Sequence, residues 1–222
     1  MLGTLVNACI VIVGSALGLF LRRELPESLK NLILHAVGLL TISIGITMVT
    51  RMHSVVSLAM GLLIGSILGE LVDLEHAFEI FAERIRGFAK GEKTFVEGMI
   101  TAFVTFCVGP MTIIGSIEDG LGNPSILLTK SILDCFMAIT YASAMGIGVA
   151  FSVVPLVLYQ GSISLLAHII KPYISAKVLQ DLTACGGLLL IGLGINILGI
   201  TKIRILNMLP SLLIVSIISY IL

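Results

Sequence analysis

Residues 2–21 read LGTLVNACIVIVGSALGLFL and run directly into Arg22-Arg23. A helix of about 20 apolar residues crosses the hydrocarbon core of a bilayer, because each backbone polar group is then paired within the segment. No basic region precedes the stretch and no small-residue cleavage site follows it. It therefore reads as a retained span with basic residues behind it, not as a secretory signal. The rest of the chain has the same character. Of 222 residues, 57% are hydrophobic and 12% charged, with a mean hydropathy of +1.14. A soluble domain carries about a quarter charged residues. Here there are 13 basic and 13 acidic residues, and 11 of these charges fall between Glu70 and Glu97. Too few remain to cover a water-exposed surface, which excludes a soluble globular enzyme. Balanced charge with no basic stripe argues against a nucleic-acid partner.

Working outward, apolar runs predict eight spans: Gly3–Leu21, Leu32–Val49, Val55–Leu71, Phe95–Ile114, Ser125–Met145, Gly148–His168, Leu179–Leu198 and Ile205–Leu222. The expected fold is an all-α integral membrane protein, a single transmembrane domain over 1–222 with the bilayer as its first partner. Between the third and fourth spans, Leu74, Phe78, Phe81, Ile85 and Phe88 recur at spacings of four and three within 73–93. That pattern predicts an amphipathic surface helix. With the N-terminus outside, Arg22, Arg23, Lys30, Arg84, Arg86, Lys90, Lys93, Lys202 and Arg204 are cytoplasmic, against Arg51, Lys130, Lys171 and Lys177 outside. The bias places both termini outside, in a bacterial inner membrane. Cys9, Cys107, Cys135 and Cys185 sit in apolar segments without a CxxC pair, and read as small buried hydrophobes. His35, His53, His76 and His168 are dispersed. No metal or cofactor is expected.

Self-comparison finds an internal repeat. Val37-Gly-Leu-Leu-Thr-Ile-Ser-Ile-Gly-Ile46 aligns with Gly186-Gly-Leu-Leu-Leu-Ile-Gly-Leu-Gly-Ile195, and Leu62-Leu-Ile-Gly-Ser-Ile67 with Leu212-Leu-Ile-Val-Ser-Ile217. Gly14-Ser15 falls opposite Gly161-Ser162. The offsets run from 147 to 150, so spans one to three (3–72) pair with spans six to eight (148–222). Five spans separate the two starts, an odd number, so the copies cross the membrane in opposite senses. Inverted repeats of this kind recur in secondary transporters, with the solute near the midplane.

The central hairpin (95–145) lies outside both copies. Pro110 has no N–H, and between Gly109 and Gly115 it predicts a kink or unwinding whose freed carbonyls need a partner. Ser125 is the expected N-cap of the fifth span. Lys130 and Asp134 follow one turn apart on one face, and are the only charges read as lying well inside a span. A carboxylate at that depth costs at least ~2.5 kcal/mol, so Asp134 should face the bundle interior or a wet cavity. Thr112, Ser116, Ser131, Gln160 and Asn196 are further polar candidates to line that cavity, with Asp119 either a turn residue or a ligand. Gly61, Gly65 and Gly69 form a small-residue ridge, as do Gly14 and Gly18, for close packing inside the chain or between copies in a homo-oligomer.

Gly109 to Gly120, with Gly115-Ser116-Ile117 and Asp119-Gly120, then Lys130-Ser131 and Asp134, resembles the YqgA/YdfK family of bacterial inner-membrane proteins. Gly146-Ile-Gly-Val149 and Tyr159-Gln160-Gly161 extend the likeness over essentially the whole chain. It implies a polytopic bacterial membrane protein of unknown function; the chain departs from the family pattern at Pro110, Glu118 and Cys135. The expected function is secondary transport of a small polar or charged solute, coupled to protons or cations. A channel or an accessory membrane subunit is the alternative. An intramembrane enzyme has no supporting motif: there is no HExxH and no GxSxG.

Overall fold

The computed structural model describes residues 1–24, 26–86 and 94–222. Among them every regular element is helical: α1 (Leu2–Glu24), α2 (Glu27–Val49), α3 (Val55–Val72), α4 (Leu74–Arg86), α5 (Phe95–Cys107), α6 (Pro110–Gly120), α7 (Ser125–Met145), α8 (Gly148–Phe151), α9 (Val153–Leu165), α10 (Ala167–Ile170), a 3-10 turn (Lys171–Tyr173), α11 (Ala176–Ile197), α12 (Ile205–Met208) and α13 (Pro210–Ile221). Six stretches are long and apolar enough to cross a membrane: Leu2–Arg22, Ser28–Val49, Val55–Val72, Ser125–Met145, Gly148–Leu165 and Ala176–Ile197. The pair Phe95–Cys107 and Met111–Gly120 makes a seventh if it counts as one bent span, and Ile205–Ile221 is a shorter apolar helix. The protein is thus an all-α membrane protein. The surface helix expected over 73–93 is α4 as far as Arg86; Phe88, Lys90 and Lys93 lie outside the described residues.

Two compact units divide the chain. The first comprises Met1–Val37, Phe81–Cys107 and Met111–Lys171; the second, Gly38–Ile80, Val108–Pro110 and Pro172–Leu222. In the first, α1 runs parallel to α7. A Cβ at Gly3 would sit 2.8 Å from the Leu127 Cβ, and one at Gly14 would sit 2.7 Å from the Cys135 carbonyl oxygen. Gly18 lies against the Ile139 carbonyl in the same way. These glycines let two backbones approach where any side chain would hold them apart. Phe95, Met99, Phe106, Leu127, Tyr141 and Leu156 are fully buried in this unit.

The α5 and α6 helices meet at a 68° bend. The cause is local: Pro110 cannot donate to the Phe106 carbonyl one turn back. The Thr112 hydroxyl donates to that carbonyl at 2.7 Å, so the break leaves it paired. The bend falls between Cys107 and Met111, earlier than a break extending to Gly115 would put it. Gly115 sits inside α6, where a Cβ would meet Leu127 Cδ2 at 2.8 Å. Ser125 does not cap α7; it is the first helical residue, after Pro124. The Asn123 side-chain oxygen accepts from the Ser125 hydroxyl at 2.7 Å instead.

In the second unit α11 is buried from Val178 to Gly194 on most of its faces. It packs antiparallel to the C-terminal half of α2 through two reciprocal glycine contacts. A Cβ at Gly45 would meet the Gly187 carbonyl oxygen at 2.6 Å, and one at Gly187 would meet the Gly45 oxygen at 2.6 Å. One turn pair away, Gly38 faces the Gly194 oxygen at 3.2 Å and Gly194 faces the Gly38 oxygen at 2.7 Å. The α3 helix packs antiparallel to α13 in the same unit, with Gly61 against Val215 and Gly65 against Ser211. At the other end of α3, Asn207 donates to Glu70 at 2.7 Å and accepts from the Glu75 amide at 2.6 Å. Arg204 pairs with Glu70 and, at 2.5 Å, with Asp73.

Candidate functional site

Three buried carboxylates stand out, and two of them hold helix ends. Asp119, the penultimate residue of α6, accepts from the Gly3 amide at 2.8 Å, the Thr4 amide at 3.0 Å and the Thr4 hydroxyl at 2.9 Å. The first turn of a helix has amides with no partner in the helix and carries partial positive charge. Asp119 is therefore a cap supplied from 115 residues away, neither a simple turn residue nor an uncommitted ligand. In the second unit Asp181 holds the turn that leads into α3, whose own N-cap is Ser54. One oxygen accepts from the His53 and Ser54 amides, each at 2.8 Å, and the other from the Ser219 hydroxyl at 2.8 Å. Asp181 is fully buried inside α11. It is a further buried charge within a span, close to the start of α11.

Asp134 is different. It lies midway along α7, is 6% exposed, and pairs with Lys130, also 6% exposed, four residues earlier. The lysine does not reach for the surface; its ammonium lies 5.9 Å from the centre of the Phe106 ring, within range of a cation–π attraction. On the other side, Asn7 of α1 donates its side-chain N–H to Asp134 Oδ2 at 3.0 Å. The same amide nitrogen stands 3.4 Å from Gln160 Oε1 on α9. Lys130, Asp134, Asn7 and Gln160 thus form a chain of polar groups drawn from three helices of one unit. Asn7 and Gln160 are both 0% exposed.

The chain is not closed. Asn7 Oδ1 and Gln160 Nε2 are buried with no hydrogen-bond partner, as is the Ser116 hydroxyl on α6. An unpaired buried polar atom costs about 1–3 kcal/mol. This cluster therefore has one acceptor and one donor beside a charge pair, all enclosed by apolar helices.

The remaining candidates, the Ser116 hydroxyl apart, are engaged elsewhere. Thr112 is committed to the bend. Ser131 donates to the Leu127 carbonyl at 2.7 Å within α7, and the Ser116 carbonyl accepts from Ser164 at 2.8 Å. Asn196 belongs to the second unit, where its side chain bonds the Ile203 carbonyl and amide, both at 2.7 Å, closing the turn after α11. Gly109 and Pro110 lie at the bend. Sequence reasoning overlooked Asn7, a single amide in the first span with no local pattern linking it to a residue 127 positions on. It overlooked Asp181 because that residue stands close to the start of its span. A signal was available for Asn7, a strongly polar residue within a largely apolar run; Asp181 stands among Lys177, Gln180 and Thr183 and carries no such signal.

Comparison with known proteins agrees with the membrane character. The family described as "Protein of unknown function (DUF554)" matches residues 2–220. The uncharacterized membrane protein YdfK of Bacillus subtilis is 34% identical, over 96% of this chain and 93% of its own. The uncharacterized protein YqgA of Escherichia coli K12 is 31% identical, with the same coverage of 96% and 93%. No solved structure matches the chain.

Proposed function

The chain belongs to this DUF554 family, and from that premise we propose that it is a secondary transporter of a small polar or charged solute, coupled to protons or cations. The observation that carries the reading is the Lys130–Asp134–Asn7–Gln160 chain, with charges and unpaired amide atoms enclosed in a membrane-spanning unit. Ionisable residues at such depth are costly, and mark solute or ion pathways. Asp134 is the proposed coupling carboxylate and Lys130 its counter-charge. The protein works in this reading without metal, cofactor or covalent chemistry, so it is not an enzyme. Its site is the inner membrane of a bacterial cell, with both termini outside.

The inverted repeat supports the same reading. In the alignment of the two copies, Gly38 corresponds to Gly187 and Gly45 to Gly194. Exchanging the copies turns the Gly38–Gly194 contact into the Gly187–Gly45 contact, and both contacts are present. The same exchange turns Gly61–Val215 into Ser211–Gly65, and again both occur. Reciprocity of this kind is what a two-fold axis in the membrane plane produces. The polar chain lies outside these pairs, with Lys130 and Asp134 on the central hairpin and Asn7 and Gln160 on α1 and α9.

The test is uptake into proteoliposomes over amino acids, organic acids and ions, with and without a proton or sodium gradient. Gradient-driven uptake that Asp134→Asn abolishes supports the reading. Gradient-driven uptake that survives Asp134→Asn removes Asp134 from the coupling role.

A further inference from the structure

The charge arithmetic of the polar chain narrows the solute class. We propose that the Lys130–Asp134–Asn7–Gln160 cluster binds a small zwitterion, a molecule carrying one ammonium and one carboxylate, such as a short α-amino acid. This deepens the transporter reading and rests on it for the purpose of the site, though not for its chemistry.

Lys130 and Asp134 neutralise each other, both 6% exposed. An anion arriving at Lys130 takes the ammonium away from Asp134 and leaves a carboxylate unpaired at membrane depth. A cation arriving at Asp134 strands Lys130 instead. Removing one partner of a buried pair costs several kcal/mol, on the order of 3–5. A guest carrying both signs avoids either penalty, because its carboxylate replaces Asp134 for Lys130 while its ammonium replaces Lys130 for Asp134. Two buried ion pairs then stand where one stood, and the net charge is unchanged.

The unpaired atoms agree with that assignment. An ammonium has three N–H groups and Asp134 does not use them all. Asn7 donates its N–H to Asp134, which leaves Asn7 Oδ1 as a bare acceptor beside the same carboxylate. That is the partner a second ammonium N–H needs. Gln160 Oε1 is engaged with Asn7, which leaves Gln160 Nε2 as a bare donor at the end of the chain. A donor in that place suits an acceptor on the guest beyond its charged head, such as a hydroxyl or carbonyl oxygen. An inorganic ion uses neither amide atom in combination with both charges.

Binding can be read apart from transport by the thermal stability of the purified full-length protein in detergent. The probes are L-alanine and L-serine, their methyl esters, which keep only the ammonium, and their N-acetyl forms, which keep only the carboxylate. The proposal expects the amino acids to raise the melting temperature at concentrations at least tenfold below those at which either derivative does. Lys130→Met should shift the preference toward the methyl esters, and Asp134→Asn toward the N-acetyl forms. The exchange of preference is specific to a two-charge site, and Asn7→Ala should weaken amino-acid binding without changing the preference. Should a variant fail to fold, the wild-type ranking of the three probe classes decides. Derivatives that bind as well as the amino acids, or an absence of any response to the amino acids, overturn the zwitterion assignment. Zwitterion binding without uptake into vesicles keeps the assignment and removes the transporter reading.

Discussion

Asp181 and Asp134 are both buried in long apolar helices, yet their surroundings have opposite consequences. Asp181 accepts three hydrogen bonds, two of them from the His53 and Ser54 amides just before α3. Asp119 repeats that arrangement at the start of α1. Such carboxylates are held mainly by backbone amides, at or just before a helix start. Asp134 caps nothing. Its partners are an ammonium and an amide, both side chains, and the amides beside it have atoms to spare. Burial alone does not separate the two acids; what separates them is whether the partners are mainly fixed backbone or exchangeable side chains.

The comparison can be broken most sharply at the ion pair. Lys130→Met strands Asp134 and should cost about 3–5 kcal/mol, whereas the double variant Lys130→Met with Asp134→Leu should return to within about 1–2 kcal/mol of wild type. Thermal or denaturant unfolding of the detergent-solubilised protein measures both. A double variant as damaged as the single one would mean that the loss comes from Asn7 and the rest of the polar chain and not from a stranded charge. Next come the caps. Asp119→Ala leaves two buried amides without an acceptor, at about 2–4 kcal/mol; Asp181→Ala frees two half-buried amides and should cost less, about 1–2 kcal/mol, and no apolar second substitution should rescue either. Hydrogen exchange at the first turns of α3 and α1 locates the damage. A comparable loss, about 1–2 kcal/mol, is expected for Thr112→Val, which frees the Phe106 carbonyl at the bend.

The smallest effect concerns Glu75, in α4 outside the spans. Burial raises its carboxyl above the usual range; nearby Lys202 and Arg204 oppose the shift and Glu79 adds to it. The folded protein then holds this proton more tightly than the unfolded chain. The stabilisation is complete below the ordinary carboxyl pKa, and is lost as pH rises through the raised value. Glu75→Gln should flatten that part of the melting-temperature profile. An unchanged slope would mean that another acid carries it.

Much of the architecture was legible in the sequence because a bilayer leaves few options. Runs such as 2–21 and 55–72 have to be spans, and the i, i+4 spacing of Lys130 and Asp134 puts them on one face. The bend at Pro110 was legible too, since a missing N–H in an apolar helix has one consequence. What the sequence did not supply were partners distant along the chain. Nothing near Asn7 points to Asp134, and nothing near Asp181 points to the backbone of His53 and Ser54. Those pairings depend on which helices lie together. Close approach at Gly14, Gly18, Gly45 and Gly187 governs that, and a glycine ridge announces a neighbour without naming it. Thr112 and Asn196 failed to join the cluster for the related reason that local backbone claims their side chains first.

The central claim, that Asp134 works and Asp181 only holds, is tested most directly by gradient-driven uptake in proteoliposomes over the solute panel, comparing wild type, Asp134→Asn and Asp181→Asn reconstituted to equal folded amounts. The account predicts that Asp134→Asn abolishes gradient-driven uptake, while Asp181→Asn lowers the yield of folded protein and leaves uptake per folded molecule intact. Full gradient-driven uptake by Asp134→Asn would contradict it.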